Sequence, residues 1–90
     1  MRIVSLVPSI TETLFDLGLT TDEIVGRTKF CIHPKDYVDK IEIIGGTKNL
    51  NIDKIKSLKP DLIIANKEEN VKEQVEELIK DFKVLVTNVE

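Results

Sequence analysis

Short apolar runs alternate along the chain with longer segments whose apolar residues recur every three or four positions. Each run is only a few residues long, rich in Val, Ile or Leu, and bounded by Gly, Pro or charged residues, which is the pattern of a buried β-strand. Such runs occur at residues 2–7, 24–28, 41–44, 62–65 and 84–86. We therefore expect a sheet whose strands are covered on both faces.

The segments between these runs predict helices. Ser9 and Glu12 have the spacing of a capping box, in which hydroxyl and carboxylate each accept a backbone N–H of the first turn, and Gly18 predicts the end of that helix. Asn51 is the predicted N-cap of a short helix. Residues 69–82 keep apolar side chains at helical spacing opposite Glu and Lys, and predict a further helix.

The alternation of strands and helices predicts the fold class. It favours a Rossmann-like, three-layer α/β/α domain over residues 1–90, with a mostly parallel sheet of four to five strands. In such sheets the loops at the carboxyl ends of the strands are the ones that bind ligands. We call these four loops the rim; they comprise residues 7–9, 29–34, 45–50 and 66–68.

Length and charge exclude several classes of function. A chain of 90 residues, 41% hydrophobic and 32% charged, has the composition of one globular domain and no apolar stretch long enough for a membrane span. Its 13 basic and 16 acidic residues give a formal net charge of -3, which argues against a nucleic-acid-binding surface. A deep, two-walled ligand site is hard to build from a chain of this size alone.

Motifs for catalysis or cofactor binding are sparse. Gly45 and Gly46 are not followed by the spacing of a dinucleotide-binding or phosphate-binding loop, so no intrinsic cofactor is predicted. Cys31 and His33, two positions apart on the rim, have residue types suited to a nucleophile pair or to metal ligation. The alternative is structural, with the thiol packed under a loop and His33 held extended by Pro34. We predict neither an enzyme nor a resident metal site.

Two rim positions have features suited to a ligand contact. Ser9 lies at a predicted helix N-terminus, where backbone N–H groups can hold a carboxylate or phosphate, although capping alone also explains a serine there. Phe30 falls in a rim loop of a chain with only 4% aromatic residues. Its ring is expected either to enter the core or to contact a ligand.

Several segments follow one another in an order found in one protein family. They are IVSLVPSITE at residues 3–12, IVGRT at 24–28, GG at 45–46, NIDKI at 51–55 and LKPDLIIA at 58–65. Together they resemble the helical-backbone metal receptors, the substrate-binding proteins of ABC transporters that carry vitamin B12, haem and iron-siderophore complexes. The resemblance extends over nearly the whole chain.

The resemblance implies an architecture and a function. In that family two α/β lobes are joined by one long helix and the ligand lies in the shallow cleft between them, so this chain is expected to be the amino-terminal lobe. The implied function is non-catalytic binding of cobalamin, haem or a ferric siderophore for an ABC importer, with the importer permease as partner and an extracytoplasmic location. The expected ligand contacts are Pro8, Ser9, Phe30, Cys31, His33, Thr47, Asn66 and Lys67.

Individual positions refine this expectation. The cobalamin-binding members place an aromatic residue where Phe30 stands, and tryptophans where Thr47 and Asn66 stand. Asn66 and Lys67 suit an anionic ligand instead, such as haem or a carboxylate-bearing siderophore. Asp53 matches the family's surface glutamate that docks onto arginines of the permease, although an acid in the first turn of a helix is also favoured by the helix dipole.

A second hypothesis belongs to another functional class. Only Met1 and Arg2 precede the first apolar run, without the pattern of a signal peptide, so a cytoplasmic location stays open. In this hypothesis the chain is a stand-alone interaction domain that self-associates or docks on a partner chain, which would cover the edge strands of its sheet. An enzyme that uses Cys31 and His33 is a third hypothesis.

Overall fold

Parallel strands form the centre of the molecule. A computed structural model describes residues 1–31 and 35–87 and, at Tyr37, the backbone only. The strands are, in chain order, β1 Ile3–Ser5, β2 Ile24–Arg27, β3 Glu42–Ile43, β4 Gly45–Gly46, β5 Asn49–Leu50, β6 Leu62–Asn66 and β7 Val84–Thr87. Five of them form a parallel sheet in the order β3-β2-β1-β6-β7, and β4 pairs with β5 in a separate antiparallel hairpin. The predicted α/β fold with a mostly parallel sheet of four to five strands is confirmed.

Helices cover both faces of this sheet. They are α1 Pro8–Asp16, α2 Lys35–Val38, α3 Ile52–Ser57 and α4 Lys72–Ile79. On one face Phe15 of α1 and Val38 of α2 pack with Ile24 of β2. On the other face Ile55 of α3 and Leu78 of α4 belong to the main core. Because both faces are covered, the central strands consist of apolar runs rather than alternating apolar and polar residues.

The main core lies under α3 and α4. Its completely buried members from the central strands are Val4 of β1 and Ile63 and Ala65 of β6. Two helix boundaries follow the predicted chemistry. Gly18, just after α1, has a φ of +98°, and the Asn51 side chain caps α3 by accepting the N–H of Lys54 at 3.1 Å.

The predicted start of the first helix was wrong. Helix α1 begins at Pro8 and its N-cap is Val7, so Ser9 lies inside the first turn and forms no capping box with Glu12. Proline is favoured at the first helical position because its fixed φ suits a helix and its missing N–H is not needed there. The presence of Pro8 therefore moves the start of the helix one residue ahead of the predicted cap.

Two other segments differ from their predicted structure. Gly45 and Gly46 were expected only to end a strand, but they form β4 and pair with β5. The run at 41–44 was expected to be a buried strand; instead only Glu42 and Ile43 form β3, and both are exposed. Strand β3 lies at the edge of the sheet, and its own side chains stay exposed. The buried side chains of this run belong to Ile41 and Ile44, which flank β3.

Candidate functional site

The rim lies where the strand order of the sheet reverses. From β1 the chain proceeds to β2 and β3 on one side of the sheet and then returns to β6 on the other side. A crevice therefore opens beyond the carboxyl ends of β1 and β6, and ligands of open α/β sheets bind at this position. The rim loops, as far as the structure describes them, meet at this end of the sheet.

Asn70 joins three rim segments. Its Nδ2 donates to the carbonyl oxygens of Leu6 at 3.1 Å and Thr47 at 2.9 Å, and its Oδ1 accepts the backbone N–H of Asn66 at 2.8 Å. The side chain is buried, with 4% exposed. Both amide protons and the amide oxygen are therefore used to hold the end of β1, the β4–β5 hairpin and the end of β6 together.

Asn66 shapes the loop that follows β6. Its Oδ1 accepts the N–H groups of Glu68 at 2.8 Å and Glu69 at 3.0 Å, and its Nδ2 donates to Thr87 Oγ1 at 3.2 Å. This side-chain-to-backbone arrangement is an Asx turn, which mimics a backbone turn. Lys67, the second predicted contact in this loop, is exposed. The loop therefore presents the Lys67 ammonium to solvent while the Asn66 amide is bound internally.

Phe30 gives the rim an exposed aromatic surface. Its side chain is 53% exposed, and the Lys29 ammonium lies 5.3 Å from the ring centroid. A methyl group at Gly46 would lie 3.4 Å from Phe30 Cε2, so the ring stands against the β4–β5 hairpin. A cation over an aromatic face is stabilising. The ring and the ammonium together offer a flat apolar surface beside a positive charge.

Arg27 holds the loop that carries Phe30. Its guanidinium donates from Nε to the Val38 carbonyl at 2.7 Å, and from Nη1 to the carbonyls of Thr28 at 3.3 Å and Cys31 at 3.1 Å. Arg27 is only 7% exposed. Burying a guanidinium is costly unless its N–H groups are bound, and here backbone carbonyls bind them. The loop is thereby tied to helix α2.

The Cys31 thiol lies in a buried cluster of hydroxyl groups. It is 1% exposed, and its Sγ is 3.2 Å from Oγ1 of both Thr11 and Thr28. Thr11 Oγ1 in turn lies 2.8 Å from Ser5 Oγ. This geometry agrees with the interpretation of a thiol packed under a loop. His33 lies outside the described residues, so a joint role for Cys31 and His33 stays a prediction.

The first turn of α1 also reaches the rim. Pro8 is half-buried and Ser9 is exposed. The N–H of Thr11 is bound to the Val7 carbonyl at 3.0 Å, so in the described residues the open end of the helix consists of the N–H groups of Ser9 and Ile10. This end can receive a negatively charged group, because the helix dipole is positive there.

The β4–β5 hairpin carries two further predicted positions. Thr47, at its tip, is half-buried and binds Asn70 through its carbonyl oxygen, and Lys48 Nζ donates to the Glu68 carbonyl at 3.2 Å. Asp53 is exposed in the first turn of α3, and with residues of the hairpin it lines a shallow groove of about 490 Å³. Asp53 thus lies next to the rim but outside it.

Two positioning residues, Asn70 and Arg27, were not among the predicted site residues. Both were detectable as exceptions to a pattern. Arg27 is a charged residue in an otherwise buried run, and Asn70 follows Asn66 at the four-residue distance that suits a loop closed by side chains. Across residues 1–31 and 35–87 no group of three or more His, Cys, Asp or Glu residues could hold a metal ion. None of the helices in that part of the chain is long and apolar enough to cross a bilayer.

Comparison with known proteins gives the family. A family model described as periplasmic binding protein matches residues 3–90. This chain belongs to the periplasmic binding protein family. The resemblance to substrate-binding proteins of ABC transporters, which the sequence motifs indicated, is confirmed.

Two curated relatives illustrate the match to this family. The ABC transporter substrate-binding lipoprotein YvrC of Bacillus subtilis (strain 168) is 48% identical over 65 residues, which are 72% of this chain and 20% of YvrC. The vitamin B12-binding protein of Salmonella choleraesuis (strain SC-B67) is 32% identical over 77 residues, 86% of this chain and 27% of that protein.

Solved structures of the family share the fold. The periplasmic vitamin B12 binding protein BtuF of Vibrio cholerae superposes with a TM-score of 0.84 and 32% identity, over 94% of this chain and 33% of BtuF. The periplasmic heme-binding protein RhuT from Roseiflexus sp. RS-1 gives a TM-score of 0.87 and 28% identity, over 97% of this chain and 33% of RhuT. The chain thus spans a third or less of the length of these proteins. By their names they are substrate-binding or ligand-binding proteins rather than enzymes.

Proposed function

We propose that this chain is the amino-terminal lobe of a substrate-binding protein and supplies one wall of the cleft that holds a metal-containing cofactor for an ABC importer. The observation that carries the proposal is the construction of the rim. Buried Asn70 and Arg27 fix its loops, while Phe30 stays exposed. Loops that are already ordered before binding lose little entropy when a ligand arrives, so a wall built in this way favours binding.

The proposed ligand is cobalamin, haem or a ferric siderophore. These are the ligand classes in the names of related proteins, and each presents a large face that the Phe30 ring can contact. Lys29 lies beside the ring and Lys67 is exposed in another rim loop, so both ammonium groups would pair with carboxylates of a ligand on the rim. We therefore rank haem and carboxylate-bearing siderophores ahead of cobalamin. Pro8, Ser9, His33 and Thr47 remain proposed contacts, whereas of the other two predicted contacts the Cys31 thiol is buried and the Asn66 amide is bound within its own loop.

The partner in this proposal is the importer permease. Asp53 would dock on it, because this exposed carboxylate lies next to the rim and can reach arginines on another protein without blocking Phe30. The corresponding location is extracytoplasmic, at the cell surface or in the periplasm, as in the named relatives. The opposite wall of the cleft would come from a second lobe.

The test is a ligand titration followed by nuclear magnetic resonance. Gallium protoporphyrin IX, gallium desferrioxamine and cyanocobalamin are diamagnetic, so the backbone amide signals of the rim stay visible during the titration. We expect gallium protoporphyrin IX, which carries two propionates, to shift the amides of residues 29–31, 46–48 and 67–69 more strongly than cyanocobalamin or gallium desferrioxamine, a hydroxamate chelate without a carboxylate. Phe30→Ala should weaken this binding by up to about tenfold, the value of one aromatic contact.

Leu17→Ala is the matched control. Leu17 is 72% exposed and lies at the end of α1, away from the rim, so its loss should leave the titration unchanged. The proposal is wrong if none of the three compounds moves the rim amides at millimolar concentration. It is also wrong if Phe30→Ala and Leu17→Ala weaken binding equally.

A further inference from the structure

The Lys29 ammonium lies against an aromatic ring rather than beside a carboxylate. Its Nζ is 5.3 Å from the centroid of the Phe30 ring, a distance typical of a cation–π contact. Across residues 1–31 and 35–87, no Asp or Glu forms an ion pair with this ammonium. Lys48, by contrast, donates to the Glu68 carbonyl at 3.2 Å. The positive charge of Lys29 is thus held at the surface by a weak partner, which a carboxylate can replace.

The backbone around this pair is fixed. The N–H of Lys29 donates to the Gly45 carbonyl at 2.8 Å, and the buried Arg27 guanidinium binds the carbonyls of Thr28 and Cys31. Lys29 itself is exposed. Only the long, flexible stem of the lysine therefore has to move for its ammonium to leave the ring.

Gly46 of the β4–β5 hairpin leaves the space in which the two side chains lie. A Cβ at this position would be 3.3 Å from Lys29 Cε and 3.4 Å from Phe30 Cε2. Both side chains therefore pack against the hairpin backbone at a point where a larger residue would displace one of them. The fold, and not only adjacency in the sequence, brings the ammonium and the ring together.

The charge of the rim favours an anionic ligand. Its four loops contain three lysines, Lys29, Lys48 and Lys67, and one acidic residue, Glu68, although the formal net charge of the whole chain is -3. A surface lined by one sign of charge attracts ligands of the opposite sign. Lys29 is the member of this set that lies on the Phe30 ring.

We propose that Lys29 determines ligand specificity by an exchange of partners: its ammonium leaves the Phe30 ring for a carboxylate of the ligand, and the ring then contacts the flat face of that ligand. A charge-assisted hydrogen bond is stronger than a cation–π contact at the surface, so an acidic ligand gains from the exchange. A neutral ligand on the same ring removes the partner of the ammonium and offers none in return. Lys29 therefore favours acidic ligands and disfavours neutral ones. The inference rests on the proposed function, whose ligands it separates by charge.

The first test uses two ligands that differ mainly in charge. Gallium protoporphyrin IX has free propionates, whereas its bis-amide with ethanolamine carries the same macrocycle without them. Lys29→Met keeps the stem of the side chain and removes the ammonium. We expect this variant to bind the acid about threefold more weakly and the amide about threefold more tightly, so that the ratio of the two dissociation constants changes by roughly tenfold. Titration of the rim amide signals measures each constant.

Lys40→Met is the matched control. Lys40 is also exposed, but it precedes β3 and therefore lies at the amino end of the sheet, opposite the rim. Its substitution removes the same charge and should leave the ratio unchanged. Lys29→Arg should keep the preference for the acid, because a guanidinium stacks on aromatic rings and pairs with carboxylates. A purely structural role of Lys29 would weaken both ligands alike and would not change the ratio.

The second test observes the lysine in the free chain. Protons above an aromatic ring are shielded, so the Cε protons of Lys29 should resonate upfield of those of Lys40. Phe30→Leu should abolish this shift. Gly46→Ala should reduce it, since the added methyl group presses on Lys29 Cε and Gly46 has no positive φ that would strain the backbone. Circular dichroism checks that each variant is folded.

The possible failures are distinguishable. If neither porphyrin moves the rim amides, the proposed function is wrong and this inference with it. If both bind, but Lys29→Met changes their ratio no more than Lys40→Met does, only this inference is wrong. Lys29 signals without an upfield shift in the free chain also overturn it, because the ammonium would then not lie on the ring.

Discussion

The two ends of the parallel sheet are closed by different kinds of polar contact. At the carboxyl end the bridging side chains are buried: Asn70 is 4% exposed and Arg27 is 7% exposed. At the amino end the bridging groups are carboxylates near the surface. Asp61 Oδ2 accepts the N–H of Arg2 at 2.7 Å, and Glu23 accepts hydrogen bonds from the turn that precedes β2. The carboxyl end of the sheet is therefore held by buried side chains, and the amino end by side chains at the surface.

This difference determines how firmly each end is held. A buried group that loses its partner has no water to replace it and costs roughly 1–3 kcal/mol, whereas a surface carboxylate is rehydrated at little cost. The carboxyl end is therefore held in one arrangement, which a ligand-binding wall needs. The amino end only has to join strands to helices, and it tolerates the loss of a contact.

The largest effect is expected from Asn70→Ala. This change removes the donor of two buried carbonyls, those of Leu6 and Thr47, and the acceptor of the Asn66 N–H. We expect the free energy of unfolding to fall by about 3 kcal/mol or more, because several buried groups lose their partner together. Urea unfolding followed by circular dichroism measures the difference.

Asn49→Ala serves as the control for that substitution. Asn49 is an exposed asparagine in β5 of the same rim, so its removal should change stability by no more than about 0.5 kcal/mol. Equal effects of the two substitutions would mean that the carboxyl end is no more firmly held than the surface. The contrast between the two ends of the sheet would then be lost.

Local chemistry explains why the scaffold was predictable. The apolar run that contains Ile63 predicts a buried strand, and Ile63 is completely buried. Asparagine is a preferred N-cap residue, and Asn51 caps α3 as predicted. Each of these outcomes depends on neighbours in the sequence. The predicted capping box failed for the same kind of reason, since Pro8, immediately before Ser9, supplied a stronger helix start.

The closure of the rim depends on distant residues and could not be predicted in the same way. Asn70 donates to the carbonyl of Leu6, 64 positions earlier in the chain. A polar residue after a strand indicates a loop, but nothing in its neighbourhood says which carbonyl it will meet. The same holds for the ring of Phe30, which stands against Gly46, 16 positions later in the chain, a contact that its own neighbours do not predict.

A smaller effect is expected from Gly45→Ala. Gly45 has a φ of +110°, and a Cβ there would press on the carbonyl oxygen of Asn49 and lie 3.2 Å from the Asn51 nitrogen. The left-handed conformation and the backbone clash together should cost about 2 kcal/mol or more. The Gly45 carbonyl also accepts the N–H of Lys29 at 2.8 Å, so the loop that carries Phe30 should shift as well.

Gly18→Ala separates these two causes. Gly18 has a comparable φ of +98°, but a Cβ there meets nothing within 4 Å. Its substitution should cost only the conformational part, about 1 kcal/mol. Thermal unfolding of both variants gives the comparison. If Gly18→Ala is as destabilising as Gly45→Ala, the hairpin does not resist the added methyl group, and the rim is less rigid than the contacts of Asn70 indicate.

The smallest effect is expected at the amino end, from Glu23→Gln. The N–H and hydroxyl of Thr20 donate to the Glu23 carboxylate and hold its pKa below the usual value. A lowered pKa means that the ionised form stabilises the fold. This contribution is fully present above the unfolded-state pKa of about 4.3 and is lost as the pH falls through the folded-state value.

The wild type should therefore be slightly more stable than Glu23→Gln at neutral pH, and the difference should vanish in acid. Urea midpoints measured at pH 7 and then at decreasing pH below about 4.3 follow this change, since the stabilisation is lost as the pH falls through the lowered folded-state pKa. Glu12→Gln, at an exposed glutamate of α1, controls for the general loss of one negative charge. If both variants show the same pH dependence, the contact with Thr20 contributes nothing. If Glu23→Gln destabilises the chain as much as Asn70→Ala, the amino end is held as firmly as the rim.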